Sequence, residues 1–264
     1  ITYTTSNYAG FEIDCAGENS GEINIQVNGG TAPFNHYLNG VTQNSYNITN
    51  LVAGNYIDSI IDFYGCSASV SITLYEPDTL NSSLTSTQLD CYGDCDGEIY
   101  SNINGGVSPY NLQWNNGDTT DTITGICDGS YNLSITDQNG CNENATISLI
   151  EPDELTSTYT KSDVSCFNAN DGSAIVNFFG GTTGSVPGDT NYILGWQGLT
   201  TILFNPIAQF ETSVVSPNGI PAGIYPYSVT DLNGCTIYDT ITIIEPDSLF
   251  ITYTTSNYSG FEIA

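Results

Sequence analysis

Residues 129–141 read Gly-Ser-Tyr-Asn-Leu-Ser-Ile-Thr-Asp-Gln-Asn-Gly-Cys, and this stretch decides the fold class. Tyr131, Leu133 and Ile135 alternate with polar residues, the period-two pattern of a strand buried on one face. Asn139-Gly140 follows between two alternating runs, which is the strongest short-range signal for a hairpin. Ile23, Ile25 and Val27 alternate in the same way, as do Val70, Ile72 and Leu74, and helical periodicity is absent. Thr, Tyr, Ile and Val supply the β-propensity. The chain is therefore expected to be all-β and antiparallel.

The elements of this stretch recur. Gly-x-Tyr stands at Gly54/Tyr56, Gly129/Tyr131 and Gly223/Tyr225, and Asp-x-x-Gly-Cys at Asp62–Cys66, Asp137–Cys141 and Asp231–Cys235. Each pair is closed by Glu-Pro-Asp-x-Leu, at 76–80, 151–155 and 245–249, and preceded by Gly-Gly (29–30, 105–106, 180–181) and an earlier cysteine (Cys15, Cys91, Cys166). The spacings between the Glu-Pro-Asp seams are 75 and 94 residues, which defines tandem modules. They are read as 1–78, 79–153 and 154–247, with 248–264 opening a further one. Residues 251–263 repeat residues 1–13 with a single change, Ser259 for Ala9. A 250-residue unit is starting again, so the chain is read as a window on a longer array.

Each module is expected to be an immunoglobulin-like β-sandwich of six or seven strands. Gly-x-Tyr before a strand is similar to the tyrosine corner of such domains, in which the phenol hydroxyl bonds upstream backbone. Trp114 and Trp196, with Leu38 as their counterpart, take the place of a core residue on the third strand. Strand order stays open. In a seven-strand order the loop after the first strand and the hairpin bearing Cys66, Cys141 or Cys235 lie at opposite ends.

Modules of this size sit near the lower limit for a self-sufficient core, where disulfides supplement burial. With one early and one late cysteine per module, the expected pairs are Cys15–Cys66, Cys91–Cys141 and Cys166–Cys235, leaving Cys95–Cys127. Cys66–Cys91 across a seam is the competing pairing. A zinc site at Cys91, Cys95, Cys127 and Cys141 is disfavoured because the other modules lack this quartet and the sole histidine, His36, lies elsewhere. Paired cysteines place the chain outside the reducing cytoplasm.

Lys161 is the only basic residue against 29 acids, a formal net charge of −28. Nucleic acid and anionic lipid surfaces would repel such a chain, and no apolar run approaches the roughly 20 residues that span a bilayer. Secretion and anchoring signals are expected outside the window. With one His, one Lys and no Arg, no base stands beside a nucleophile and no cationic clamp is available, so an enzyme is not expected. Calcium is the one cofactor with candidate ligands: Glu76 and Asp78 at a seam, with Asp90, Asp94 and Asp96 in the next module. Calcium takes six to eight oxygens, but the spacing matches no EF-hand loop, and a solvated acidic surface is the favoured reading.

One pattern runs through the modules: Asp-Gly before a strand (Asp96-Gly97, Asp171-Gly172), Gly-Gly-x-x-Pro-Tyr (Gly105–Tyr110), a Trp, Gly-x-Tyr, Asp-x-Asn-Gly-Cys and a Pro-containing seam. This resembles the SprB repeat of very large surface adhesins of gliding Bacteroidetes. The likeness is fullest in the second module. The first has Ser20-Gly21 and Phe34 in place of Asp-Gly and Tyr, and the third lacks Pro-Tyr and carries an insertion. The resemblance implies a non-enzymatic filament segment at the extracellular cell surface, exported by type IX secretion and moved by the gliding machinery. Asp followed by Ser or Thr and an aliphatic residue or Thr resembles Bacteroidetes O-glycosylation sites, and it occurs at Ser59, Thr79, Thr119, Thr122, Thr240 and Ser248.

In the third module 41 residues (182–222) separate Gly-Gly from Gly-x-Tyr, against 23 (31–53) and 22 (107–128) in the others. The addition contains the apolar run 198–210, read as an extra hairpin covering the sandwich or a seam, or as a contact surface. The partners expected are neighbouring repeats of the same chain and, through parts outside the window, the secretion and gliding machinery. Two other functions are weighed: a glycan-binding module, which would bring surface glycans as ligands, and the spacer of a secreted polysaccharide-degrading enzyme. Three sandwiches of roughly 35–40 Å joined by short Pro seams should scatter as a rod on the order of 110 Å. A compact globular profile in small-angle scattering would overturn that expectation.

Overall fold

The computed structural model describes residues 1–182, 192–196, 199–204, 211–214, 219–255, 257–258 and 261–262. The first sandwich runs β1 (Thr2–Thr5), β2 (Gly21–Gln26), β3 (Asn35–Leu38), β4 (Val41–Gln43), β5 (Asn47–Leu51), β6 (Gly54–Ile61) and β7 (Ser67–Leu74). One sheet has the order β1-β2-β5 and the other β4-β3-β6-β7. The second runs β8 (Asn81–Ser86), β9 (Gly97–Asn104), β10 (Asn111–Trp114), β11 (Thr122–Ile126), β12 (Gly129–Thr136) and β13 (Asn142–Leu149), in sheets β8-β9-β11 and β10-β12-β13. The third runs β14 (Thr156–Ser162), β15 (Ser173–Phe179), β16 (Tyr192–Trp196), β17 (Leu199–Phe204), β18 (Glu211–Val214), β19 (Gly223–Thr230) and β20 (Thr236–Ile243), in sheets β14-β15-β18 and β17-β16-β19-β20. All pairings within these sheets are antiparallel. The chain divides into two compact units, Ile1–Gln88 with Cys95–Ile150, and Leu89–Asp94 with Glu151–Ala264. The first unit holds the cores of the first two sandwiches and the second holds that of the third.

Alternation builds each core as the sequence predicts. Leu133 and Ile135 on β12 are fully buried, and they join Ile99, Ile123 and Trp114. Ile23, Ile25, Ile72 and Leu74 fill the first core, and Val176, Val229, Ile241 and Ile243 the third. The tyrosine corner is present three times. Tyr56, Tyr131 and Tyr225 each donate their hydroxyl to the carbonyl four residues upstream, of Val52, Cys127 and Pro221, at 2.9, 3.0 and 2.7 Å. Leu38 and Trp114 are buried as expected. Trp196 is half-buried and stacks on Tyr225 with ring centroids 5.6 Å apart.

The described part of the apolar insertion, Leu199–Phe204, is β17, an edge strand paired with β16. Residues 205–210, and with them the rest of that run, lie outside the described residues. Beyond the third module, β21 (Asn257–Tyr258) pairs with β22 (Phe261–Glu262), with Tyr258 opposite Phe261. The same bridge joins Tyr8 and Phe11 at the start of the chain.

The first sandwich buries a histidine–aspartate pair where its siblings carry leucine or tyrosine. His36 faces Ile60 across the β3/β6 ladder and Leu38 faces Asp58; the same ladder positions hold Leu112 and Leu133 in the second module and Leu194 and Tyr227 in the third. His36 Nε2 and Asp58 Oδ2 hydrogen-bond each other in full burial, and His36 stacks on Tyr46. Removing one member of a buried pair strands the other. His36→Leu should therefore cost about 3–5 kcal/mol, while His36→Leu/Asp58→Leu should recover most of that loss. Denaturant midpoints of the two variants check it.

Candidate functional site

The structural centre of each module is a carboxylate. Asp137 Oδ1 accepts from the N–H groups of Asn139 and Cys141, both at 2.9 Å, and Oδ2 accepts from Val107 at 2.8 Å. Asp231 does the same with Asn233, Cys235 and Thr182 at 3.0, 2.9 and 2.7 Å. Asp62 takes Tyr64, Cys66 and Thr31 at 2.9, 2.9 and 3.2 Å. Each aspartate thus clasps the late-cysteine hairpin to the residue just after Gly-Gly. At Asp62, desolvation pushes the pKa up, but the N–H donors of Cys66, Thr31 and Tyr64 outweigh it and hold the acid below its usual 3.8. A depressed carboxylate stabilises the fold at neutral pH, and that contribution is lost as pH falls through the lowered pKa.

Gly-Gly is required because the incoming seam peptide lies directly on it. Gly105 and Gly106 adopt φ of 73° and 60°. A Cβ on Gly105 would stand 2.0 Å from the carbonyl oxygen of Thr79, and one on Gly180 would stand 1.9 Å from that of Glu154. Gly106 N–H donates to the Asp78 carbonyl and Gly181 N–H to that of Asp153, both at 2.8 Å. Leu80 and Leu155, two residues beyond these carbonyls, are buried in the second and third cores.

The seam glutamate holds the other side. In each early-cysteine turn the cysteine carbonyl accepts from the N–H three residues on: Cys15 from Glu18, Cys91 from Asp94 and Cys166 from Ala169, at 3.1, 3.2 and 3.0 Å. Oε2 of Glu76, Glu151 and Glu245 accepts from the turn amide of Gly17, Gly93 and Asn168, at 2.7, 2.8 and 2.9 Å. Those three residues have positive φ. Glu-Pro-Asp-x-Leu therefore fixes the early-cysteine turn of the module it ends, and at 76–80 and 151–155 its Asp and Leu enter the next.

This geometry corrects the expected disulfides. Cys15 is bonded to Cys141 and Cys91 to Cys235, each with Cα atoms 5.7 Å apart, and not to Cys66 and Cys141 respectively. Cys166 is not bonded to Cys235, nor Cys66 to Cys91; Cys66 and Cys166 are free and exposed. The reason is placement. Within one module the early turn is held at the exit by the seam glutamate and the late hairpin at the entrance by Gly-Gly, so a turn meets the hairpin of the module after it. Asn139 and Asn233 reinforce the two joints, each donating its side-chain amide to the residue before the early cysteine, Asp14 or Asp90, at 2.9 Å. Cys95 is bonded to Cys127, as expected. Bridges spanning 126 and 144 residues are each worth about 5 kcal/mol in the chain-entropy model.

Of the acids weighed as calcium ligands, Glu76 has its carboxylate engaged, and two others take part in the seams through their backbone. Glu76 caps Gly17, the Asp78 carbonyl receives Gly106, and the Asp90 carbonyl receives Asn233. Among the described residues no group of three or more His, Cys, Asp or Glu is gathered closely enough to hold an ion. Of the candidate glycosylation positions, Thr79, Thr119, Thr240 and Ser248 are exposed, and Ser59 and Thr122 are half-buried in strands. The aspartate clasp and the glutamate cap went unrecognised in the sequence, although the recurrence of both motifs is the signal that could have found them.

Fold and seam together define a tandem array of immunoglobulin-like modules. The family model of the SprB repeat matches residues 12–43, 83–119 and 158–186, one segment in each module, so the resemblance read from the sequence holds. A search of curated proteins gives no match. Among solved structures, the N-terminal eight Ig domains of Down Syndrome Cell Adhesion Molecule are similar at 12% identity and a TM-score of 0.33, over 76% of this chain and 28% of that one. The three N-terminal domains of the bacteriophage RB49 Highly Immunogenic Outer Capsid protein align at 11% and 0.41, over 93% and 99%. The central fibronectin-III array of RIM-binding protein aligns at 13% and 0.24, over 86% and 93%.

Two outcomes follow from the seam. Unreduced peptide mapping should link Cys15 to Cys141, Cys91 to Cys235 and Cys95 to Cys127; a Cys15–Cys66 peptide would contradict it. Asp137→Ala should leave three part-buried amides without their acceptor and cost on the order of 1–3 kcal/mol in all, read as accelerated hydrogen exchange at Val107 and Asn139.

Proposed function

We propose that this chain is a non-enzymatic repeat segment of a very large cell-surface adhesin, serving attachment and gliding motility. The observation that carries the reading is the SprB match in all three modules. Export to an oxidising exterior is supported by the three disulfides. A role without catalysis is supported by the fate of the two residues best suited to acid–base work. His36 is buried against Asp58, and Lys161 donates to Asp163 at 2.9 Å and to the Thr242 carbonyl. The module sequence then supplies reach, and many copies supply multivalency. Among the described residues no helix is long and apolar enough to cross a membrane, and anchoring is assigned to other parts of the adhesin.

An antibody raised against this chain should label intact cells of the producing organism, and the label should travel along the cell body. Deleting the gene should reduce attachment to glass at least several-fold. Label that appears only after permeabilisation would overturn the proposal.

A further inference from the structure

Cys66 and Cys166 are not odd thiols left over from pairing. The Cys66 hairpin reproduces the two bonded hairpins bond for bond: Asp62 N–H donates to the Cys66 carbonyl at 2.9 Å, Gly65 N–H to the Asp62 carbonyl at 3.0 Å, and Phe63 N–H to the Thr31 carbonyl at 2.9 Å. The corresponding bonds in the other two modules are 3.0, 3.2 and 2.8 Å, and 3.0, 3.2 and 3.2 Å. The Cys166 turn likewise matches those of Cys15 and Cys91, down to its glutamate cap.

What differs is the cover. No atom lies within 4 Å of a Cβ built on Gly29, whereas a Cβ on Gly105 or Gly180 would collide with the seam peptide. The Gly30 amide has no seam carbonyl among the described residues. A cavity of about 180 Å³ opens there, lined by Gly29, Gly30, Phe34, Asp62, Cys66 and Ala68. Asp62 is half-buried where Asp137 and Asp231 are 5% and 4% exposed. At the other end of the chain the matching plug is bare: Leu249 is 97% exposed, against 8% and 7% for Leu80 and Leu155.

Strand register identifies the occupant. Thr2 faces Gln26, Ser83 faces Asn102 and Thr158 faces Asn177, each opposite partner lying three residues before Gly-Gly. Leu80 and Leu155 stand three residues before Ser83 and Thr158. The residue that would plug the first module therefore stands three before Thr2. Because 251–263 repeats 1–13, Leu249 stands three before Thr252, the counterpart of Thr2.

We infer that the Gly29–Gly30 cradle with Cys66, and the Asp247–Leu249 peptide with Cys166, are the two halves of a third seam that joins one 250-residue unit to the next copy of itself, closed by a Cys166–Cys66 disulfide. In this joint Tyr64 replaces Asn139 and Asn233, and Ser165 replaces Asp14 and Asp90. Phe63, Tyr64 and, beside Cys166, Phe167 are exposed, so this seam closes on aromatic rings where the others use an amide. Closure is thiol–disulfide exchange. Both thiols lose a proton, a low-molecular-weight disulfide such as oxidised glutathione takes the electron pair, and two glutathione thiols are released. The inference stands on seam geometry and does not depend on the adhesive role.

The test is a tandem chain, residues 1–250 followed by residues 1–264, refolded with reduced and oxidised glutathione. Alkylation should count two free thiols, Cys66 of the first copy and Cys166 of the second, and unreduced peptide mapping should recover the Cys166–Cys66 link between copies. Leu249→Asp in the first copy, with every cysteine retained, should slow that link on the order of tenfold or more by emptying the cradle. Four free thiols, or a Cys66–Cys66 or Cys166–Cys166 peptide, would overturn the inference. Closure at an unchanged rate in the Leu249→Asp chain would also overturn it, because the thiols would then be meeting without the seam.

Discussion

One carboxylate per module organises everything around it. Asp62, Asp137 and Asp231 each bind backbone N–H groups from two loops distant in sequence, the hairpin that follows the tyrosine-corner strand and the Gly-Gly turn. Without that clasp the entrance of a sandwich would be two independent loops. With it, the entrance is a rigid cup whose floor has no side chains, so the preceding seam can lie on bare backbone. The cysteine following the hairpin glycine is thereby aimed at the previous module. Placing the acid where amides saturate it also explains how so anionic a chain tolerates three carboxylates at its joints.

The fold was legible because its signals are local. The alternation of Tyr131, Leu133 and Ile135, the Asn139-Gly140 turn and the Gly-x-Tyr corners all act within about ten residues, and all three sandwiches follow from them. Disulfide pairing was not legible, for a definite reason. Repetition reveals that an early cysteine pairs with a late one, but a shift by one module leaves that rule unchanged. Cys15 could satisfy it with Cys66 or with Cys141. Only the observation that turn and hairpin sit at opposite ends of a sandwich breaks the tie. The geometric tension between the two ends was visible in the sequence, and it pointed the right way.

The acidic clusters illustrate a similar limit. Glu76, Asp78 and Asp90 are close in sequence to a seam, and that proximity made calcium a candidate beside the favoured solvated surface. The Glu76 carboxylate accepts from the Gly17 amide, and the main-chain carbonyls of Asp78 and Asp90 accept from Gly106 and Asn233. A carboxylate's distance along the chain says little about whether its oxygens are already engaged. The buried His36–Asp58 pair lay beyond sequence reasoning too, since its partners are 22 residues apart and their siblings are leucine or tyrosine.

The interleaved bridges also set how far this chain can be drawn out. Under tension, load entering at residue 1 crosses from Cys15 to Cys141, returns along the chain to Cys127, crosses to Cys95, and passes through Cys91 to Cys235. Even with every strand pulled apart, the covalent path would then extend to about 200 Å, against about 900 Å for the unbridged polypeptide. The Cys95–Cys127 bond, which has no counterpart in the other modules, acts as a short cut in that path. A chain cross-linked this way stops lengthening at roughly a fifth of the contour length of its polypeptide.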